Sequence, residues 1–353
     1  QETINEVHVY RLPPQRKKQG MARYLFEYFT FFLLVTIKLT IQHLRNPYAL
    51  IQVNTMPDFL VFATLFPRLL GAKIALQMYE PMPELWATKF DLPALIKALQ
   101  LIQQWGLRYA HAAFTVTEQL KETLVARGAD PDKITVILNV PDERFFETQA
   151  NEALPATDTR FTLICHGAIE KRYGHDTMLE AIRILKSTIP NIQLRILGKG
   201  GYQEQFLARV RALGLEDQVR YLGYVLLPQL VEELRRADVG IVAQKASPYS
   251  HLVHTGKMYD YLCFNKPVIA SRLRSVRAYF DEESLCYFAP GDAEDLARAI
   301  RYLYEREEAR EMFARNSRHL YERYSWKQQR EAYIAVVRKL TGVEASEVHT
   351  GGV

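Results

Sequence analysis

The run Phe161-Thr-Leu-Ile-Cys165-His166-Gly167, with Lys171-Arg172-Tyr173-Gly174 just beyond it and Gln193-Leu-Arg-Ile-Leu197-Gly198-Lys199-Gly200-Gly201 further along, decides how this chain folds. Each apolar run has the length of a strand and ends in a glycine-bearing turn. Between them Leu179, Ile182 and Leu185 recur at helical spacing, and Thr177 with Glu180 reads as a capping box that opens the helix. Strand, helix and strand in this order make a βαβ unit. The alternation continues with strands at Val219–Leu222, Val239–Ala243, Pro267–Ala270 and Leu285–Phe288, and with helices at Pro228–Ala237 and Lys257–Phe264. It predicts a parallel sheet covered on both faces.

The first half repeats the pattern. Leu50–Asn54, Lys73–Met78, Ala113–Val116 and Ile134–Leu138 read as strands, and Asp58–Leu70, Pro93–Tyr109 and Glu118–Arg127 as helices. Glu6–Tyr10 reads as a further strand of that half. Residues 147–159, dominated by Asn, Glu, Thr, Asp and Pro, read as a linker. The expectation is an α/β protein with two Rossmann-like domains of parallel sheet facing a cleft. The domains span 1–146 and 160–324, and a last helix, 325–341, opens on Ser325 with Gln328 as its capping box and crosses back to the first domain. Ligands of open α/β sheets bind beyond the carboxyl ends of the strands, so the loops there carry the search for function.

Composition narrows the classes. With 353 residues, 48% of them apolar, the chain has material for two cores. The net charge of +5 suits a phosphate-bearing ligand or an anionic membrane surface. No basic stripe interleaved with aromatics argues for nucleic acid. Cys165, Cys263 and Cys286 form no metal spacing and lie in apolar runs, so buried free thiols in a reducing cytoplasm are expected. The apolar window Leu25–Ile41 is interrupted by Glu27 and Lys38 and falls short of a span. The basic segment Arg11 to Lys18 precedes a helix with Tyr24, Phe26, Tyr28, Phe29, Phe31 and Phe32. The aromatic spacing favours a core helix, and the basic loop suits contact with a membrane surface. A cytoplasmic protein with peripheral membrane contact is expected.

Several stretches together resemble the retaining glycosyltransferases of family 4, of the GT-B fold and especially of the bacterial surface-polysaccharide type. They are Ile164-Cys-His-Gly167 with Arg172-Tyr-Gly174, Leu197-Gly-Lys-Gly200, Val219 to Val225, Ala237-Asp-Val-Gly240, Gly256-Lys257-Met-Tyr-Asp260-Tyr-Leu262, Lys266 to Ala270 and Tyr324-Ser-Trp326. Met82-Pro-Glu-Leu85 and Leu138-Asn-Val-Pro-Asp142 add to them in the first half. The resemblance implies transfer of a sugar from a UDP- or GDP-sugar to a glycan or lipid-linked acceptor, with no metal or other cofactor. A non-catalytic nucleotide-sugar-binding partner subunit is the alternative. The family opens with a strand, a glycine-rich loop and a helix, and nothing in this sequence matches them. The expectation is that this opening βα unit is missing from the chain as given.

On the donor side the resemblance and the residues point to Gly167, Lys171, Arg172, Gly198, Gly200, Tyr224, Val225, His254, Thr255, Gly256, Lys257 and Asp260. A departing diphosphate needs cations and backbone amides. Lys257 follows Thr255 and Gly256 at a helix start, where amides and partial positive charge favour phosphate. Arg172 offers a planar fork. The family's own loop cations are replaced by Ala168 and Tyr173, so Arg172 is read as their substitute. Asp260 stands where the family places the carboxylate that accepts from the ribose hydroxyls, and Leu252 takes the place of the first acidic residue of that pair. His251 and His254 are read either as sugar contacts or as loop histidines. On the acceptor side Tyr79, Glu80 and Glu84 follow strand Lys73–Met78, and Glu80 is a candidate base. The bland reading of each carboxylate is a loop cap. Lys257, Arg172 and Glu80 are the residues expected to carry the chemistry.

Overall fold

The computed structural model describes residues 2–4, 6–12, 21–88, 90, 92–144 and 159–343. The expected linker, 147–158, most of the basic segment, 13–18, and the side chain of Tyr24 lie outside the described residues. The chain divides into two compact units, Gln1–Ile137 with Ala332–Val353, and Leu138–Glu331.

In the second unit, strands β7 (Phe161–His166), β8 (Ile192–Leu197), β9 (Val219–Gly223), β10 (Val239–Val242), β11 (Val268–Ser271) and β12 (Cys286–Phe288) form one sheet in the order β12-β11-β10-β7-β8-β9. Every pairing is parallel. All six residues of β7 and of β8 are buried, because helices cover both faces and no side is left for alternation. Leu163, Cys165, Leu194 and Ile196 meet Met178, Leu179, Ile182 and Leu185 of helix His175–Leu185 in the core. Each fully buried aliphatic side chain contributes roughly 1.5–3 kcal/mol. An ion pair lies inside: Arg195, 2% exposed, donates to the buried Glu233 at 2.7 Å and to Gln193 at 2.8 Å. The chain runs outward from β7 through β8 and β9, then restarts at β10 on the other side of β7. The loops after β7 and β10 therefore diverge at a topological switch point, where such sheets leave a crevice.

The first unit carries a parallel sheet, β3 (Leu50–Asn54), β4 (Lys73–Met78), β5 (Ala112–Thr115) and β6 (Ile134–Val136), in that order. The final helix, Trp326–Thr341, reaches this unit through Tyr333, whose hydroxyl donates to Gln52 at 2.6 Å and whose ring lies 4.9 Å from that of Phe114.

Four local expectations are corrected. The strand expected at 6–10 does not join the parallel sheet: Val7–Val9 (β2) pairs antiparallel with Glu2–Ile4 (β1) in a separate hairpin. Thr177 and Glu180 are not a capping box. That helix starts earlier, after Gly174 in the left-handed region at φ 68°, and Glu180 is drawn to Arg183 and Arg209. The last helix is capped from a distance, since Glu143 accepts from the Trp326 amide at 3.1 Å and from the Tyr321 hydroxyl at 2.7 Å. Helix Met21–Arg45 is not buried all round: Phe26, Phe29, Leu33, Ile37, Ile41 and Leu44 form an exposed stripe. The aromatic spacing identified a helix with an apolar face, but spacing carries no information about what covers that face. Of the thiols, Cys165 and Cys286 are buried and Cys263 only half so.

Candidate donor-binding site of the second unit

The loops after β7, β8 and β9 are laced together by their backbones. The Gly167 amide donates to Leu197 O at 2.9 Å, the Ile169 amide to Lys199 O at 3.2 Å, and the Gly198 amide to Gly223 O at 2.6 Å. The contact is close enough to demand glycine. A Cβ on Gly198, at φ +128°, would stand 1.9 Å from Gly167 O, and one on Gly200 would stand 2.3 Å from Ile169 O. These glycines therefore build the loop edge. Tyr221 steadies it by donating its hydroxyl to Gly198 O at 2.8 Å.

The loops after β7 and β10 bring the expected cations to one place. Lys257 Nζ lies 4.2 Å from the centroid of the Tyr173 ring, and the Arg172 guanidinium carbon lies 4.9 Å from the same centroid. Arg172 also faces Tyr249 at 5.7 Å. The backbone of Arg172 is pinned, because its carbonyl accepts from the Lys245 amide at 2.8 Å, while the Lys245 ammonium pairs with Asp176 at 2.5 Å. The Lys257 side chain passes over Gly167, where a Cβ would stand 2.6 Å from its Cε. Gly256 has another reason to be glycine: a Cβ there would meet the carbonyl of Asn139 at 3.0 Å. Thr255 is occupied as a local cap, its hydroxyl accepting from the Lys257 amide at 3.4 Å.

Behind Lys257, Asp260 Oδ2 lies 3.4 Å from His166 Nε2. Burial pushes the Asp260 carboxyl up to about 7, against the pull of Lys257. Burial, and then Lys257, pushes His166 down to about 3. A neutral imidazole thus faces a carboxyl group that changes charge near neutrality. Sequence reasoning missed His166 as a partner of Asp260. Its signal was a lone histidine directly before the loop glycine, whose partner lies far off in the chain.

The remaining expected residues separate. Tyr224 is exposed, with Lys199 Nζ 4.9 Å from its ring centroid, and Val225 beside it is half-buried. Lys171 is exposed on the short turn Lys171–Tyr173. His254 is corrected: its two ring nitrogens bond Ser275 O at 3.0 Å and the Tyr259 hydroxyl at 2.8 Å, so neither is left for a donor. Burial pushes it down to about 4. His251 Nδ1 accepts from the Arg274 amide at 3.4 Å. Leu252 is buried, which is consistent with its apolar side chain.

In the first unit, Tyr79 is exposed and Glu80 half-buried after β4. Glu84 is corrected as an acceptor contact, for it is buried and ion-paired with Arg127, which also donates to Gln103 at 3.3 Å. Close to this group the buried Asp58 is pushed up to about 7, chiefly by burial. Nothing in the sequence marked Arg127 or Asp58. Among the described residues no group of three or more His, Cys, Asp or Glu is placed to hold a metal, and no helix is long and apolar enough to cross a membrane.

The chain was compared with known proteins. Residues 146–320 match the family described as glycosyl transferases group 1, and residues 1–139 match the glycosyl transferase 4-like domain. A D-inositol 3-phosphate glycosyltransferase of Saccharomonospora viridis is 27% identical over 225 residues, 60% of this chain and 51% of that protein. A glycogen synthase of Mycobacterium tuberculosis is 22% identical over 227 residues, 64% of this chain and 53% of that protein. The chain spans about half the length of the curated relatives it matches. Among solved structures, Anabaena HepE in complex with UDP and glucose superposes with a TM-score of 0.70 at 15% identity, over 87% of this chain and 81% of that one. A glycosyltransferase from Rickettsia africae gives 0.70 at 15% identity, over 95% and 85%. At such identities the structural likeness speaks for the fold alone, and the fold is that of GT-B glycosyltransferases.

Proposed function

The chain belongs to the group 1 glycosyl transferases, and from that premise we propose that it moves a sugar from a nucleoside-diphosphate sugar, UDP- or GDP-linked, to a glycan or lipid-linked acceptor. The observation that carries this reading is the convergence of Lys257 and Arg172 on the Tyr173 ring at the switch point of the second unit's sheet. Two cations there answer the charge that develops on a departing diphosphate, in a setting of fixed protein dipoles. Asp260, held against His166, accepts from the ribose hydroxyls once ionised. The rim Gly198-Lys199-Gly200 with Tyr224 and Val225 borders the nucleoside. No metal is required in this scheme, since side-chain cations meet the charge.

The stereochemistry we infer is retention, with the leaving phosphate taking the acceptor proton. Tyr79 and Glu80 are the acceptor-side groups of the first unit, and Glu80 orients the acceptor hydroxyl. The relatives' names also support this reading, as they pair glycosyl transfer with inositol phosphate, phosphatidylinositol mannoside and glycogen. Peripheral contact with the anionic inner surface of a membrane fits the basic segment from Arg11 to Lys18 and the exposed Phe26, Phe29 and Leu33. Flotation with anionic liposomes tests that contact.

Calorimetric titration with UDP and with GDP tests the central claim. One of the two is expected to bind, and a chelator is expected to leave that binding unchanged. No binding of either at millimolar concentration sinks the reading.

A further inference from the structure

A cavity of about 580 Å³ lies at the other end of the second unit's sheet. Ala237 and Asp238 on its wall lead into β10, and Lys266 and Pro267 lead into β11, so it faces the amino ends of the strands. Gly167, Gly198 and Lys257 follow the carboxyl ends of β7, β8 and β10, so the two sites stand at opposite edges of one sheet. The volume suits a small molecule.

The opposite wall is a face of helix Glu307–Glu322. Some charged groups in the cavity are already held by the protein. Asp238 accepts from the Thr162 amide at 2.7 Å, Arg310 donates to Leu303 O at 2.6 Å, and Lys266 donates to Arg235 O at 2.8 Å with the Asp238 carboxylate also acting on it. The others are held loosely. Arg315 stands 3.8 Å from Glu311 and His319 stands 3.8 Å from Glu322, both beyond hydrogen-bond length. Arg318 lies 5.7 Å from the ring centroid of Tyr321. Arg315 and Arg318 are three residues apart, hence on one helix face, with the small Ala314 beside them.

We propose that this cavity is a second ligand site, for a compact anion of phosphate type. Arg315 and Arg318 supply planar forks from the helix, and Lys266 supplies a point charge from the facing wall. The acidic neighbours Glu311 and Glu322 make weak pairs at the rim that a doubly charged anion displaces.

The test is calorimetric titration of the full chain with inorganic pyrophosphate at low salt, run in a Lys257→Ala background that weakens the contribution of the donor loops. Pyrophosphate is expected to bind there, and adding Arg315→Ala with Arg318→Ala is expected to weaken it by ~10-fold or more. The two arginine changes with Lys257 intact are expected to leave UDP binding unchanged, which separates this site from the proposed function. If the double change unfolds the protein, Arg315→Ala with Arg318→Lys replaces it, since Arg315 is exposed and Lys keeps the charge. Binding to phosphatidic acid vesicles that is lost with the same arginines assigns the phosphate to a lipid headgroup. Pyrophosphate binding without vesicle binding assigns it to a soluble metabolite, and either result supports the site. Pyrophosphate affinity that ignores the arginines, or that is absent in the Lys257→Ala background, overturns it.

Discussion

The ammonium of Lys257 stands 4.2 Å from the ring centroid of Tyr173, a residue that lies far from it in the chain and on a different loop. Arg172 approaches the same ring at 4.9 Å. Cations gathered around one aromatic ring are held near each other by its electron-rich face. The predictions below start from that pair.

Replacing Lys257 by Ala removes one of the charged contacts proposed for the diphosphate. A hydrogen bond to a charged group is worth ~1.5–3 kcal/mol, so affinity for UDP or GDP is expected to fall by roughly 10- to 100-fold. Titration calorimetry reads this directly. An unchanged affinity places the diphosphate elsewhere.

Tyr173→Phe and Tyr173→Leu should part company. Phe keeps the ring face and is expected to bind nucleotide nearly as well as the parent. Leu loses the cation–π contacts, worth about 0.5–2 kcal/mol, and lets both cations wander. Equal loss in the two variants implicates the hydroxyl instead.

Two glycine substitutions distinguish a ligand effect from a fold effect. Alanine at Gly167 meets only the flexible Lys257 side chain, with Cβ 2.6 Å from Cε, so it is expected to displace that lysine and weaken nucleotide binding. Alanine at Gly198 meets the Gly167 carbonyl at 1.9 Å, and backbone cannot yield cheaply. Thermal unfolding should therefore show the larger loss for Gly198→Ala, by at least ~1 kcal/mol, with Gly167→Ala nearer the parent despite its own left-handed φ.

Nucleotide affinity should depend on pH through Asp260. Burial raises its carboxyl to about 7 in the folded protein, so the ionised form proposed to accept from ribose is gained as pH rises through about 7. Affinity is expected to climb across pH 6 to 8, and Asp260→Asn to flatten the profile. A profile that keeps its slope in Asp260→Asn assigns the titration to another group.

Stability should carry the mark of Asp58. Its folded value of about 7 lies above the ordinary 3.8, so the stability linked to it is full below 3.8 and is lost as pH rises through 7. Asp58→Asn is expected to stabilise the protein at pH 8, on the order of a few kcal/mol, and to do little at pH 3.5. Buried His175 and His254, both pushed down to about 4, have the opposite sign and weaken the fold as pH falls from 6.5 through 4. Urea unfolding of the two proteins at matched pH isolates the Asp58 part. Equal stability at pH 8 would show that the carboxyl is solvated.

The strands of both units were legible because their signal is local: short apolar runs such as Phe161 to Cys165 end in glycine turns, and helical spacing follows. The helix start at Lys257 was legible because a glycine precedes it. Burial and partner choice were not legible. His254 looked like a loop histidine able to reach a sugar, and it bonds Ser275 and Tyr259 instead. Glu84 looked like an acceptor contact, and it pairs with Arg127. Both partners are distant in sequence, and spacing along one chain segment says nothing about them.

The order of runs along the chain thus determined two α/β units and the loops that follow their strands, since strand and helix periodicity are written residue by residue. Tertiary structure alone decided which polar side chains are buried and which partners they meet. Whether a polar side chain faces water, a partner or a crevice depends on segments brought together from across the fold, as Asp260 is brought to His166 and Lys257 to Tyr173.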